Sequence, residues 1–437
     1  MVWNMEIISR EIIKPSSKTP KNLKNHTLSF LDQLAPSVHI PLIFFYKFET
    51  SNNAYNSTQV SQLLKQSLSN TLTRFYPLAG RINGISSIDC NDEGVEYIEA
   101  RVHAHVDQLI GHPTMEDLEK LIPKQPQSNT EHNAPLLSIQ VNFFDCGGIA
   151  IGVCIAHRVA DGSSFVTFMN AWSAICREDE DKAHQLPMFD SGKSYFPPKD
   201  MSGFSSLVSN VGISKEQIKT ERLVFTKATL ETLEGDIKDS GDGSNLKNPT
   251  RVEALSAFIW RNFIKSAKNS KKMFAAVHAV NLRSRMKPPL PENAFGNLWR
   301  HTHALTTLES EKDDQNFVHL PTKLREAISS INNEYIKKIQ EGDAYFNLLK
   351  EHINLYFSKD IEFCNFSSWC NFPVYEVDFG WGKPERVSTM TFPYKNLVIF
   401  MSSRSGQEIE AWVNMNEDDI SNLQKEIELL SHAAPKF

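Results

Sequence analysis

The stretch Ile149-Ala150-Ile151-Gly152-Val153-Cys154-Ile155-Ala156-His157-Arg158-Val159-Ala160-Asp161-Gly162 decides how this chain folds. Its first half is apolar throughout, which suits a buried strand. Upstream, Leu136 to Phe144 is a second run rich in Ile, Val and Phe, and Asp145-Cys146-Gly147-Gly148 lies between the two. Two such runs joined by a short turn with paired glycines predict a β-hairpin. Beyond Gly162, residues Phe165, Phe168, Met169 and Trp172 recur at the spacing of an amphipathic helix. His157 therefore stands where a buried strand ends, with Asp161 and Gly162 in the turn that leads to a helix. Rigid elements on either side are what a catalytic imidazole needs. The same place also suits a buried histidine bonded to backbone. Spacing alone does not choose, because His103 and Asp107 repeat it in a polar stretch without that context.

Two further islands stand out. Asp378-Phe379-Gly380-Trp381-Gly382 follows a strand-like Val374 to Val377 segment, and its glycines alternate with aromatics. That alternation predicts a strained turn where backbone passes close to a neighbour. Phe75-Tyr76-Pro77-Leu78-Ala79-Gly80-Arg81-Ile82 follows a helix-like run from Val60 to Leu72.

Taken together, these blocks resemble the plant BAHD acyltransferases, CoA-dependent enzymes marked by HxxxD near mid-chain and DFGWG near the C-terminus. Tyr76 to Arg81 is a further family landmark. Ile13–Ser17, Leu31-Asp32-Gln33, Asn281 to Met286 and Phe295-Gly296-Asn297 are written in the style of the vinorine-synthase-like branch. The resemblance covers nearly the whole chain. It implies an α/β fold of two chloramphenicol-acetyltransferase-like mixed-sheet domains, joined by a crossover loop, with an active-site channel between them. The boundaries read from the sequence are 1–185 for the domain carrying HxxxD, 186–215 for the crossover and 216–437 for the domain carrying DFGWG.

Composition agrees. At 437 residues the chain exceeds the usual ceiling for one core. A net charge of −6 with no dominant basic stripe argues against a nucleic-acid binder. Cys90, Cys146, Cys154, Cys176, Cys364 and Cys370 form no Cys-x-x-Cys pair and read as small buried hydrophobes of a reducing compartment. Charges interrupt the first residues, and no apolar run reaches the roughly 18–20 residues of a membrane span. The expectation is a soluble cytoplasmic protein. Arg177 to Ser206 is rich in turn formers and reads as the crossover, and Asp236 to Pro249 as a mobile surface loop. Val252, Leu255, Phe258, Ile259 and Ile264 trace one face of a helix, and a second helix is expected from Thr322 to Gln340 with Gly342 as its stop. His103/His105 and His301/His303 lack further ligands at metal spacing, so no metal is expected.

Acyl transfer from a thioester to an alcohol needs a base, because a neutral hydroxyl is a poor nucleophile. Histidine fits, with an unperturbed pKa of about 6.5. On the resemblance His157 is that base, and the acyl group passes directly in a ternary complex; no Gly-x-Ser-x-Gly elbow is present. The tetrahedral oxyanion wants a preorganised donor. The resemblance offers Trp369 in the Ser367-Ser368-Trp369 block, with Ser367 as a weaker pocket contact; a pocket-wall tryptophan is the competing reading. It further implies that Asp161 pairs with Arg283 as structural support rather than as a catalytic dyad. Gly162, Asp378, Gly380 and Gly382 are likewise supports, and Thr250, Arg251 and Ser256 are candidate CoA contacts. Acyl-CoA would be a co-substrate with no bound cofactor, and the partner a small hydroxylated metabolite met by a monomer. The donor is read as acetyl or short aliphatic. Other HxxxD chemistry (N-acylation, an aromatic donor) and a non-catalytic binding relative are the alternatives. Condensation domains usually double the histidine, whereas residue 156 is Ala here.

Overall fold

The computed structural model describes residues 3–48, 56–111, 113–124, 126, 133–179, 186–201, 218–239, 246, 248–267, 273–307, 319–341 and 344–433. Two compact units emerge. The first takes residues 1–210, 290–298 and 372–391, and the second takes 211–289, 299–371 and 392–437. Chain order and spatial unit thus part company twice, and the late segment 372–391 that carries Asp378–Gly382 packs with the first unit.

In the first unit, strands β1 (Asn4–Ile13), β3 (His39–Tyr46), β6 (Val95–His103), β7 (Leu137–Phe144), β8 (Ile149–Ala156) and β13 (Arg386–Ser388) form one sheet in the order β1-β6-β7-β8-β3-β13. It is mixed: β6 and β7 run parallel, and the other neighbours are antiparallel. A small sheet of β2 (Asn25–Thr27), β4 (Arg81–Asn83) and β5 (Ser87–Asp89) lies apart. The expected hairpin is β7–β8, closed at Asp145–Gly148 with Gly147 at φ +87°, a conformation only glycine adopts without strain. All eight residues of β3 and of β8 are buried, which is why the run carries no polar alternation. The helix Gly162–Cys176 packs on the helix Ser57–Arg74, and Trp172 donates its indole N–H to Ser67 Oγ at 3.1 Å. Phe165, Phe168, Met169 and Trp172 are fully buried, each contributing about 1.5–3 kcal/mol of apolar burial.

The second unit has its own mixed sheet. Its strands are β9 (Lys219–Phe225), β10 (Met273–Asn281), β11 (Trp299–Thr307), β12 (Ile361–Ser368), β14 (Leu397–Ser402) and β15 (Ile409–Met415), in the order β11-β10-β12-β14-β15-β9. The helices Lys227–Asp239, Arg251–Ser266 and Leu320–Ser330 cover one face, burying Leu230, Leu255, Ile259, Trp260 and Leu324 against Phe274, Phe366 and Phe400. Among the described residues no helix is long and apolar enough to cross a membrane. All six cysteines are free, and Cys90, Cys154, Cys176 and Cys364 are buried as expected.

Three local expectations need correction. The helix expected from Thr322 to Gln340 is two, Leu320–Ser330 and Asn333–Gln340, because Asn332 caps the second by accepting from the backbone N–H of Glu334 and Tyr335 at 2.9 and 3.0 Å. Val374 to Val377 is not a strand but a 3-10 turn at Val374–Glu376, set off by Pro373. Asp236 to Asp239 finish a helix rather than open a loop. The rest of that loop at 240–245 and 247, residues 202–215 of the expected crossover and the stop at Gly342 lie outside the described residues.

Candidate active site

His157 is delivered by β8. The ladder persists one residue past the strand, with His157 N donating to Val38 O at 2.8 Å, and then the chain turns, Val159 N donating to Ala156 O at 3.0 Å. Asp161 is the N-cap of the Gly162–Cys176 helix: Oδ1 accepts from Ser164 N at 2.8 Å. Its second oxygen accepts from Leu298 N at 3.0 Å, so this carboxylate ties the helix start to residues 290–298 of the same unit. Gly162 must be small. A Cβ there would come within 2.7 Å of the Phe372 ring.

Asn297 meets the histidine. Its Oδ1 lies 3.1 Å from His157 Nδ1, while its Nδ2 donates to the His157 carbonyl at 2.7 Å and to Asp32 Oδ1 at 3.0 Å. Asn297 and Asp32 are both buried, and His157 keeps part of its surface accessible. Burial of the ring holds the His157 pKa below its ordinary value, against the opposing pull of backbone hydrogen bonds at His157 and Ala160, the Asp161 charge and Asn297. The imidazole is therefore neutral at pH 7, and the amide oxygen at Nδ1 favours the tautomer with the proton on Nδ1 and the basic lone pair on Nε2.

The Asp378 carboxylate closes its own turn. Asp378 Oδ1 accepts from Gly380 N and Gly382 N at 2.8 and 2.9 Å, with both glycines at positive φ, +111° and +106°. Phe379 packs edge-on against Trp172 with centroids 4.8 Å apart, and Tyr46 donates its hydroxyl to Val377 O at 2.9 Å. The look-alike pair dissolves: His103 bonds Asp145, and Asp107 bonds Lys47.

The other expected residues belong to the second unit. Trp369 is buried and donates its indole N–H to Ser367 Oγ at 3.0 Å. Arg283 is buried and gives N–H bonds to Asn281 Oδ1. Thr250 caps the Arg251–Ser266 helix in a reciprocal box with Glu253, and Arg251 donates to the carbonyls of Gly406 and Gln407. Ser256 lies fully buried farther along that helix. What sequence reasoning missed is the role of Asn297 and Asp32. Both sit in quoted landmark blocks, but nothing in those blocks says that positions 32, 157 and 297 converge.

Comparison with known proteins shows the family and the fold. The chain matches the Transferase family over residues 3–430. Stemmadenine O-acetyltransferase of Catharanthus roseus is 40% identical, over 98% of this chain and 97% of that protein. Vinorine synthase of Rauvolfia serpentina is 41% identical, over 99% and 98%. The crystal structure of vinorine synthase superposes with a TM-score of 0.83 at 38% identity, covering 98% of each chain. TRI101 of F. sporotrichioides, complexed with coenzyme A and T-2, shares the fold alone, with a TM-score of 0.72 at 20% identity over 92% of this chain and 97% of that one. With a vinorine-synthase-like sequence along its full length and the matching two-unit mixed-sheet fold, this chain belongs to the Transferase family, the BAHD CoA-dependent acyltransferases.

Proposed function

We propose that this enzyme transfers an acetyl or other short aliphatic acyl group from acyl-CoA to a hydroxyl of a plant specialised metabolite, with His157 as general base. The observation that carries the reading is the contact between His157 Nδ1 and Asn297 Oδ1, which leaves Nε2 to take a proton. The acceptor hydroxyl gives its proton to Nε2 as its oxygen bonds to the thioester carbonyl carbon. Collapse of the tetrahedral adduct breaks the carbon–sulfur bond, and the thiolate leaves with that proton, giving ester and free CoA. No acyl-enzyme forms. Trp369 is the proposed donor to the oxyanion: its one indole N–H, held by Ser367 Oγ in this structure, would turn to the developing charge. Arg251 and Thr250, exposed at the start of their helix, are the proposed CoA contacts. A hydroxylated alkaloid is the favoured acceptor, because the relatives at 40–41% identity are named for stemmadenine and vinorine. The setting is proposed to be a cytoplasmic monomer.

Mass-spectrometric turnover tests this. Acetyl-, isobutyryl-, malonyl- and coumaroyl-CoA are offered against pooled hydroxylated alkaloids, terpenoids, quinones and sugars, with His157→Ala as control. One acyl mass added to an acceptor, and a rate lower by about 10²–10⁴ in a folded His157→Ala protein, is the expected result. A variant as fast as wild type would end the general-base reading.

A further inference from the structure

We propose that Asp32, far from the His-x-x-x-Asp motif in sequence, is a positioning residue that sets the tautomer of His157 through Asn297. The inference rests on the general-base reading above and names a residue that reading does not need.

Asp32 is buried and accepts four hydrogen bonds. Oδ2 takes Ser29 N at 2.9 Å and Ser29 Oγ at 2.6 Å; Oδ1 takes Asn297 N at 2.7 Å and Asn297 Nδ2 at 3.0 Å. One oxygen therefore grips both the backbone and the side chain of Asn297. Burial raises the Asp32 pKa, and these bonds oppose the rise. Both hydrogens of the Asn297 amide then have acceptors, Asp32 Oδ1 and the His157 carbonyl. Turning the amide over would set its oxygen against those two oxygens and its NH₂ against the ring. Each such mismatch leaves a buried polar group facing another of the same kind with its hydrogen bond unmade. The amide oxygen must face His157 Nδ1, so Nδ1 holds the proton and Nε2 is left basic.

The surroundings brace the same clamp. Ser164 Oγ lies 3.0 Å from both the N–H and the carbonyl of Gly296, accepting from one and donating to the other. Gly296 has φ +125°, and a Cβ there would approach Asp32 Oδ1 to 3.3 Å. Asparagine at position 32 would not serve. It replaces one acceptor oxygen with an NH₂, which must face the N–H of Ser29 or those of Asn297.

Steady-state kinetics and ¹⁵N-histidine NMR on wild type, Asp32→Asn, Asn297→Ala and the double variant test this, with His157→Ala assigning the resonance. In a serine-protease triad, loss of the tautomer-fixing carboxylate costs about 10⁴ in kcat. Here the carboxylate acts at one remove, so Asp32→Asn should lower kcat about 10- to 100-fold and leave both KM values within about twofold. Wild-type His157 should show the proton on Nδ1, and Asp32→Asn should add the second tautomer. The double variant should be no slower than Asn297→Ala alone, since both act through one contact. Full kcat with a single tautomer in Asp32→Asn, additive losses, or a wild-type proton on Nε2 would overturn the proposal. An active His157→Ala protein would instead sink the base reading, and the tautomer shift would still be read by NMR. If Asp32→Asn does not fold, Ser29→Ala relaxes the same carboxylate by removing its 2.6 Å bond. A second tautomer there supports the clamp, and one tautomer with unchanged kcat overturns it.

Discussion

Asp161 accepts a backbone N–H at each carboxylate oxygen. Its two oxygens hold the N–H groups of Ser164 and Leu298, so Asp161→Ala removes a helix cap and leaves Leu298 N–H without that acceptor. The cap is worth about 0.5–2 kcal/mol and an unsatisfied buried donor about 1–3 kcal/mol. Urea unfolding should therefore show a loss of about 2–4 kcal/mol; an unchanged midpoint would contradict the structural role. His157 carries a different prediction. Its pKa is depressed by burial, so the active, neutral form persists below pH 6.5. The acidic limb of kcat, measured at saturating acyl-CoA and acceptor, should lie below that pH, and a limb at or above it would mean the base is another group. At this scale the sequence was informative about His157, Asp161 and Gly162, which share one turn. It was silent on the convergence of Asp32 and Asn297 on that turn, because residues so far apart leave no local period to read.

Among elements, close approach is what limits substitution. On β8, a Cβ at Gly152 would meet Leu121 O at 2.1 Å and Ile122 Cα at 3.1 Å, both backbone atoms that cannot swing aside. Gly152→Ala should cost about 1–3 kcal/mol or more, because the strand that aims His157 must shift. Gly382→Ala meets no atom within 4 Å, and its penalty is conformational, about 1–3 kcal/mol for φ +106°. Differential scanning calorimetry paired with kcat separates the two. Gly152→Ala should lower both Tm and kcat, and Gly382→Ala chiefly Tm. The hairpin was legible as two continuous apolar runs about a turn with paired glycines, and the Gly162–Cys176 helix by the helical spacing of its buried residues. The break at Asn332 was not, since Leu324, Ile331 and Ile339 continue one apolar stripe through it. There a single side chain bonding locally to backbone outweighed the period.

Across the whole molecule, burial holds His26, His278 and His303 each at a pKa of about 4, aided by Lys193 at His26 and by Arg300 at His303. An unfolded chain takes up those protons near pH 6.5, while the folded chain resists to about pH 4. These groups leave stability undiminished above pH 6.5, and stability falls as pH drops from there toward 4. His278 stacks on Phe366 with ring centroids 4.9 Å apart, and Phe in its place keeps the stacking without the titration. His278→Phe should flatten the dependence by about one proton, or about 1.4 kcal/mol per pH unit at most. Denaturant titrations from pH 5 to 8 check it, and an unaltered slope would show that this histidine titrates alike in both states.

By itself, the amino-acid sequence determined the family, the mixed α/β class and the residue at the end of the buried strand. Those follow from apolar period, turn chemistry and ordered motifs, all of which are local. Tertiary structure alone decided that residues 290–298 and 372–391 join the first unit, and that Asn297 lies against His157 with Asp32 behind it. A hydrogen bond between residues 140 positions apart is selected by the packing of the whole unit, and no short window of sequence contains both partners.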